Sequence, residues 1–128
     1  MNNVVFDSSA ILALFFNEPG KKKVKMLLGR SNSMMSSVNL AEVVSKIVDN
    51  ETNADEVLET IEALEIEIVP FDVELALSVA TLRRPTAHRG LSLGDRACIA
   101  LAIREKATAA TSEKSWLSVA NCRVELIR

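Results

Sequence analysis

Val4-Val5-Phe6-Asp7-Ser8-Ser9-Ala10 sets a β-branched and aromatic run directly against a carboxylate. Such a run reads as a short buried strand with Asp7 at its carboxyl end, and Ser8 to Phe16 continues as a helix. The alternation then repeats. After a break at Asn17-Glu18-Pro19-Gly20, Lys21 to Leu28 forms a helix with Val24, Leu27 and Leu28 inward, and Met34-Met35-Ser36 is a second strand. Leu40, Val43, Val44, Ile47 and Val48 follow helical spacing, and a polar stretch from Asn50 to Asn53 precedes a helix marked by Val57, Leu58, Ile61 and Leu64. Ile66 to Val69 alternates as a strand before Pro70, and Asp72 to Leu82 returns to helical spacing. Pro85 to Gly90 is expected as a loop, Ser92 to Ile103 as a helix, Thr108 to Thr111 as a strand, Ser115 to Ala120 as a helical turn and Val124 to Ile127 as a last strand. Short strands alternating with helices predict an α/β fold, a mostly parallel central sheet between helical layers.

The bulk properties agree. With 128 residues, 48% of them hydrophobic, the chain suffices for one domain, residues 1–128, with a proper core. Its apolar supply is aliphatic, with no Tyr and a single Trp. No stretch approaches the roughly 18 apolar residues of a membrane span, and the opening Met-Asn-Asn-Val lacks the charge of a secretory signal, so a cytoplasmic protein without membrane contact is expected. Cys98 and Cys122 stand apart from any CxxC or Cys/His spacing, which argues against zinc and against a disulfide framework; both are expected as buried, inert thiols. A net charge of −2 gives no global pull on nucleic acid. Two local basic groups remain, Lys21, Lys22, Lys23 and Lys25 in one, Arg83, Arg84, His88, Arg89 and Arg96 in the other. Each reads either as a solvated helix face or as a phosphate contact.

In an open α/β sheet, ligands bind beyond the carboxyl ends of the strands. Asp7 and Glu113 each follow a strand closely, while Glu42 and Asp95 fall in the first turns of their helices. Taken singly, each acid is also explained as a helix cap: Asn39 with Glu42 has capping-box spacing, Ser92 with Asp95 the same, and Asp7 or Thr111 is an N-cap candidate. Taken together, gathered carboxylates repel one another unless a cation neutralises them. A hard divalent ion, Mg²⁺ or in its place Mn²⁺, is the natural partner of such oxygen donors.

These residues resemble the PIN domain family, and within it the VapC-like toxin subunits of toxin–antitoxin modules. The likeness covers nearly the whole chain. Val4 to Ala10 is similar to the family's first strand and acid, and Asn39-Leu40-Ala41-Glu42-Val43 to its second acidic motif. Gly90-Leu91-Ser92-Leu93-Gly94-Asp95-Arg96-Ala97 is similar to the third and is the longest of them. Thr111-Ser112-Glu113-Lys114-Ser115-Trp116 resembles the last, which usually reads Thr-Ala-Asp, so Glu113 departs from it by one methylene. The resemblance implies a three-layer α/β/α sandwich and a Mg²⁺- or Mn²⁺-dependent endoribonuclease. It also implies a homodimer restrained by a cognate antitoxin. Carried over residue by residue, it makes Asp7, Glu42 and Asp95 direct or water-mediated metal ligands, with Glu113 completing the acidic pocket.

Ser9 and Thr111 are expected to hydrogen-bond the acids or a metal-bound water, or else to serve as N-caps. Arg96 either contacts RNA phosphate or an antitoxin carboxylate, or pairs with Asp95 or Glu113. Trp116 either stacks on a base or packs inside, and His88 is expected to be exposed. Leu12, Phe15 and Phe16 are candidates either for an antitoxin groove or for the core. The expected reaction is hydrolysis of RNA leaving a 5′-phosphate and a 3′-hydroxyl. A phosphatase built on Asp7 would want a second Asp where Ser9 stands. A catalytically inactive PIN-like module that binds RNA or protein is the non-enzymatic rival.

Overall fold

Strand β1 (Asn2–Phe6) divides its side chains between two apolar clusters, Val5 in one and Val4 with Phe6 in the other. A strand that is apolar on both faces needs cover on both. A computed structural model, describing residues 2–48 and 51–128, provides it. Helices α1 (Ser8–Phe15), α2 (Lys21–Arg30), α3 (Ser37–Ile47) and α4 (Ala54–Ala63) bring Ile11, Val24, Val43 and Ile61 to the Val4 side. On the Val5 side, α5 (Val73–Thr86) and α6 (Leu93–Arg104) supply Leu75, Val79, Ile99 and Leu101. The architecture is the expected three-layer α/β/α sandwich.

With β2 (Ser31–Ser36), β3 (Ile66–Val69), β4 (Thr108–Thr111) and β5 (Arg123–Leu126), the sheet runs β3-β2-β1-β4-β5 and every pairing is parallel. From β1 the chain builds outward to β2 and β3, then crosses back to lay β4 and β5 on the other side. The boundary between β1 and β4 is therefore the switch point, where an open sheet leaves a crevice at its carboxyl edge. Asp7 directly follows one of the two strands that border it, and Thr111 ends the other. At the start of α2, Gly20 has φ +100°, and a Cβ there would meet the Ile127 carbonyl, so this turn packs against the residue that follows the chain's last strand only as glycine.

Several boundaries differ from expectation. Pro85 lies inside α5 rather than opening a loop, and a 3₁₀ turn (Ala87–Arg89) comes after it. Proline removes one backbone donor near this helix end, and side chains supply others: the Thr86 hydroxyl donates to the Leu82 carbonyl at 2.6 Å and Arg89 Nη1 to the Pro85 carbonyl at 3.0 Å. Helix α3 begins at Ser37, three residues before Leu40, because Ser36 caps it through the Val38 N–H. The capping box expected of Asn39 and Glu42 is thus not formed. Strand β2 starts at the polar Ser31, where pairing with β1 overrides weak local preference. A 3₁₀ helix (Lys114–Ser118) replaces the turn expected over Ser115 to Ala120. Asn50, at the head of the expected polar stretch, lies outside the described residues. Among the described residues no helix is long and apolar enough to cross a membrane.

Cys98 is buried as expected, but Cys122 is only partly buried. Burial still pushes the Cys122 thiol up to about 11 and the Cys98 thiol well above its ordinary value, so neither offers a ready thiolate.

Candidate active site

Asp7 leaves β1 with its backbone N–H bonded to the Ala110 carbonyl of β4 at 2.9 Å. Its extended backbone (φ −71°, ψ 159°) makes it the N-cap of α1 in position, yet its side chain caps nothing. The carboxylate instead takes hydrogen bonds at Oδ2 from the Ser9 hydroxyl and the Thr111 hydroxyl, each at 2.8 Å. Both hydroxyls are fixed from behind: Ser9 Oγ accepts from the Ser112 N–H at 3.0 Å and Thr111 Oγ1 from the Glu113 N–H at 3.1 Å. The bonds expected of Ser9 and Thr111 are present.

Only 4% of Asp7 is exposed. Burial raises its pKa to about 6, against the lowering effect of the two hydroxyls, and the Asp95 charge raises it further. No Lys or Arg pairs with Asp7 among the described residues.

Asp95 stands in the first turn of α6, where it forms a full capping box. Its Oδ2 accepts from the Ser92 N–H at 2.9 Å and its own N–H donates to Ser92 Oγ at 3.1 Å. Capping and participation in the site are compatible, because the cap uses one carboxylate oxygen. Glu42, on α3, is held at Oε1 by the Ser8 hydroxyl at 2.5 Å and Asn39 Nδ2 at 3.0 Å. A Cβ on Gly94 would overlap the Glu42 carboxylate, so glycine here is what lets that carboxylate lie against α6.

The structure thus brings Asp7 into the field of Asp95 and ties Glu42 to Ser8, the residue beside Asp7. Glu113 is different. It is exposed, and its carboxylate makes no hydrogen bond or ion pair among the described residues. Arg96 turns away, its Nη1 bonded to the Val79 carbonyl of α5 at 2.9 Å and its Nε buried without a partner, so the pairs with Asp95 or Glu113 are not formed. Trp116 is fully buried in the core, which is the packing arrangement and not base stacking, and His88 is exposed. Lys23 pairs with Glu125 at 3.2 Å. Sequence reading gave Ser8 and Gly94 no role of their own and offered Asn39 only as a helix cap; the one signal available was polar or glycine identity at otherwise helical positions.

Beside Glu42 lies an open groove of about 540 Å³ lined by Ser8, Ser45, Lys46, Ser92 and Gly94 among others. A depression of about 600 Å³ at the opposite, amino-terminal edge, lined by Asn3, Ser31, Glu65 and Glu105, contains none of the four acids. Of the two, the smaller groove is the relevant one, since it lies at the carboxyl edge and holds one of the four acids, Glu42.

Among the described residues no three Asp, Glu, His or Cys side chains stand close enough together to enclose an ion. The carboxyl edge offers an open oxygen donor set, Asp7 with Asp95 and Glu42 nearby. That fits a hard divalent cation such as Mg²⁺, which binds through one or two carboxylates and keeps several waters. It does not fit a soft ion, since the buried Cys98 is held protonated.

The PIN domain family model matches residues 4–121. No curated protein matches the sequence. Among solved structures, the fold is similar to VapBC2 from Rickettsia felis bound to a DNA fragment from its promoter, at 21% identity and TM-score 0.76 over 97% of this chain and 98% of that one. A toxin–antitoxin complex from Klebsiella pneumoniae matches at 19% identity and TM-score 0.75, covering 98% of each chain. VapBC-1 from nontypeable Haemophilus influenzae matches at 17% identity and TM-score 0.72, also over 98% of each.

Proposed function

The chain belongs to the PIN domain family, and from that premise we propose that it is a divalent-metal-dependent endoribonuclease acting as the toxin of a toxin–antitoxin pair. One observation carries the reading: Asp7 is a buried carboxylate at the switch point, in the field of a second acid and without a cationic partner among the described residues. A structural acid is normally exposed, paired with a cation or capping; Asp7 is none of these, which supports reading it as a ligand.

Asp7, Asp95 and Glu42 would hold Mg²⁺ or Mn²⁺, and Glu113 would close the rim. When bound, such an ion lowers the pKa of water and stabilises a displaced phosphodiester oxygen. The protein's own groups do the positioning. Ser9 and Thr111 fix Asp7, the Ser92 box fixes Asp95, and Ser8 with Asn39 fixes Glu42. Lys46, exposed on the groove wall, is the cation we assign to the RNA backbone. Arg96 could take a phosphate only by giving up its bond to the Val79 carbonyl.

The toxin–antitoxin assignment rests on likeness to the VapBC complexes. Phe16, 50% exposed at the end of α1, is the candidate contact for an apolar antitoxin segment, whereas Leu12 is buried in the core. Self-association of two copies is supported by α5, which exposes Val73 and Leu77 and carries Glu74 near one end and Arg84 near the other, a self-complementary arrangement for antiparallel packing.

Purified protein free of any antitoxin should cleave a mixed RNA pool in Mg²⁺ or Mn²⁺, leaving 5′-phosphate and 3′-hydroxyl ends. EDTA and an Asp7→Asn/Asp95→Asn double variant should each abolish cleavage. Products ending in 2′,3′-cyclic phosphate, or cleavage indifferent to EDTA, would sink the mechanism. The absence of a closed acid cluster among the described residues favours the inactive binding module as the second reading. On that reading the wild type cleaves nothing, so Asp7→Asn has no activity to remove.

A further inference from the structure

Asn39 is fully buried in the first turn of α3, a poor place for an amide unless its groups are used. Its Nδ2 lies 3.0 Å from Glu42 Oε1, 3.0 Å from the Gly94 carbonyl of α6 and 3.2 Å from Ser8 Oγ at the start of α1. Two of those acceptors, a carboxylate oxygen and a carbonyl, cannot donate, so the amide is oriented with nitrogen toward them. The opposite atom, Oδ1, is buried with no partner. Leaving it so is unfavourable, and an apolar side chain of the same size would avoid the loss.

The neighbours of these contacts explain the amide. Ser8 is next to Asp7, Gly94 precedes Asp95, and Glu42 stands one helical turn beyond Asn39. One side chain therefore links the three segments that carry the acids. Ser8 extends the link, accepting from Asn39 Nδ2 while its own hydrogen goes to Glu42 Oε1. Both donors engage the same oxygen of Glu42.

We propose that Asn39 is a positioning residue for the acidic site: its amide holds Glu42 at Oε1, leaving Oε2 for a divalent cation, and fixes the spacing of α3 against α6. This inference rests on the metal-dependent reading. It differs from the helix-capping role that the Asn39–Glu42 spacing suggests, since the cap belongs to Ser36. Groups that orient metal ligands are typically worth roughly 10–100-fold in affinity or activity when removed.

The test is a double-mutant cycle of wild type, Asn39→Leu, Glu42→Ala and the double variant. Three properties are measured: Mn²⁺ binding to metal-free protein by loss of the free-ion EPR signal, RNA cleavage, and urea unfolding in EDTA. Asn39→Leu should weaken Mn²⁺ binding by roughly tenfold or more and lower kcat with little change in KM. It should do neither in the Glu42→Ala background, and the midpoint of unfolding should hold or rise. Asn39→Asp, the same size with the donor gone, should behave like Asn39→Leu and not like wild type.

Unchanged Mn²⁺ binding in Asn39→Leu, or an equal loss with and without Glu42, would reduce Asn39 to packing. Should the wild type bind no Mn²⁺ and cleave nothing, the metal-nuclease reading fails and the unfolding cycle decides separately. Non-additive unfolding would keep the Asn39–Glu42 link, and additive unfolding would remove it.

Discussion

Asp7 and Glu113 read alike in the sequence, each an acid just beyond a strand of one parallel sheet, and the fold treats them in opposite ways. Asp7 is buried, doubly hydrogen-bonded at one oxygen and raised in pKa to about 6. Glu113 is exposed, and only its backbone N–H is engaged, by Thr111. The cause is the element attached to the carboxyl end of each strand. After β1, helix α1 folds straight back and draws the carboxylate under Ser9 and Thr111; after β4, a 3₁₀ turn buries Trp116 and leaves the preceding acid at the surface. An acid held where its charge is unfavourable is a candidate to bind a cation, whereas an acid at the surface carries no such cost.

The largest effect expected from this contrast is on activity. Asp7→Asn keeps the shape and removes the charge, and should lower RNA cleavage by about a thousandfold or more, the several kcal/mol that a metal contributes to the transition state. Single-turnover cleavage in saturating Mn²⁺ measures it. An Asp7→Asn protein within tenfold of wild type would move the chemistry away from this corner.

Stability should move the other way. Below pH about 4 Asp7 is protonated whether folded or not. As pH rises toward 6 the unfolded chain gives up that proton while the folded protein keeps it, so stability falls across this window; above it the penalty is constant. A shift from 3.8 to about 6 corresponds to roughly 3 kcal/mol. Metal-free Asp7→Asn should therefore be more stable than wild type at pH 8 by up to that amount and level with it at pH 4. Urea denaturation at both pH values reads the difference. Mn²⁺ should raise the melting temperature of wild type far more than that of Asp7→Asn. Equal stabilities at pH 8 would mean that Asp7 carries no buried charge.

A smaller separation of stability from function is expected at Gly94. A Cβ there meets the far end of the Glu42 side chain, which can swing aside, and alanine favours the helix by about 1 kcal/mol over glycine. Gly94→Ala should unfold at the same or higher urea concentration while cleaving roughly tenfold more slowly, because Glu42 leaves Ser8 and Asn39. A large loss of stability would show that Glu42 cannot move, and that the α3–α6 contact is rigid at this point.

The parts legible in the sequence are those written within a few residues. Val4-Val5-Phe6, the spacing of Val43 and Ile47, and the alternation at Ile66–Val69 each specify their element locally, and the Ser92–Asp95 box comes from spacing alone. What escaped depends on contacts between distant segments. Asn39 reaches Gly94 across 55 positions, and no periodicity encodes that meeting. Pro85 misled for a similar reason: its helix end is completed by the Arg89 side chain, which also ties this segment to Ser118. Arg96 sits beside Asp95 in sequence but faces α5, because its place on α6 carries the guanidinium to the Val79 carbonyl.

Glu113 should give the smallest effects, and they test whether the surface acid participates at all. Glu113→Gln removes an exposed charge with no described partner, so its unfolding free energy should stay within about 0.5 kcal/mol of wild type at any pH. Its cleavage rate should fall by only about tenfold, and the deficit should shrink as Mn²⁺ is raised, because a rim carboxylate that joins late adds affinity more than geometry. Glu113→Asp shortens the side chain by one methylene and restores the residue usual in the resembling motif. If that variant cleaves faster than wild type, the extra methylene is what holds the acid off the cation. If both variants match wild type across the Mn²⁺ range, Glu113 is a bystander and Asp7, Asp95 and Glu42 make up the acidic site without it.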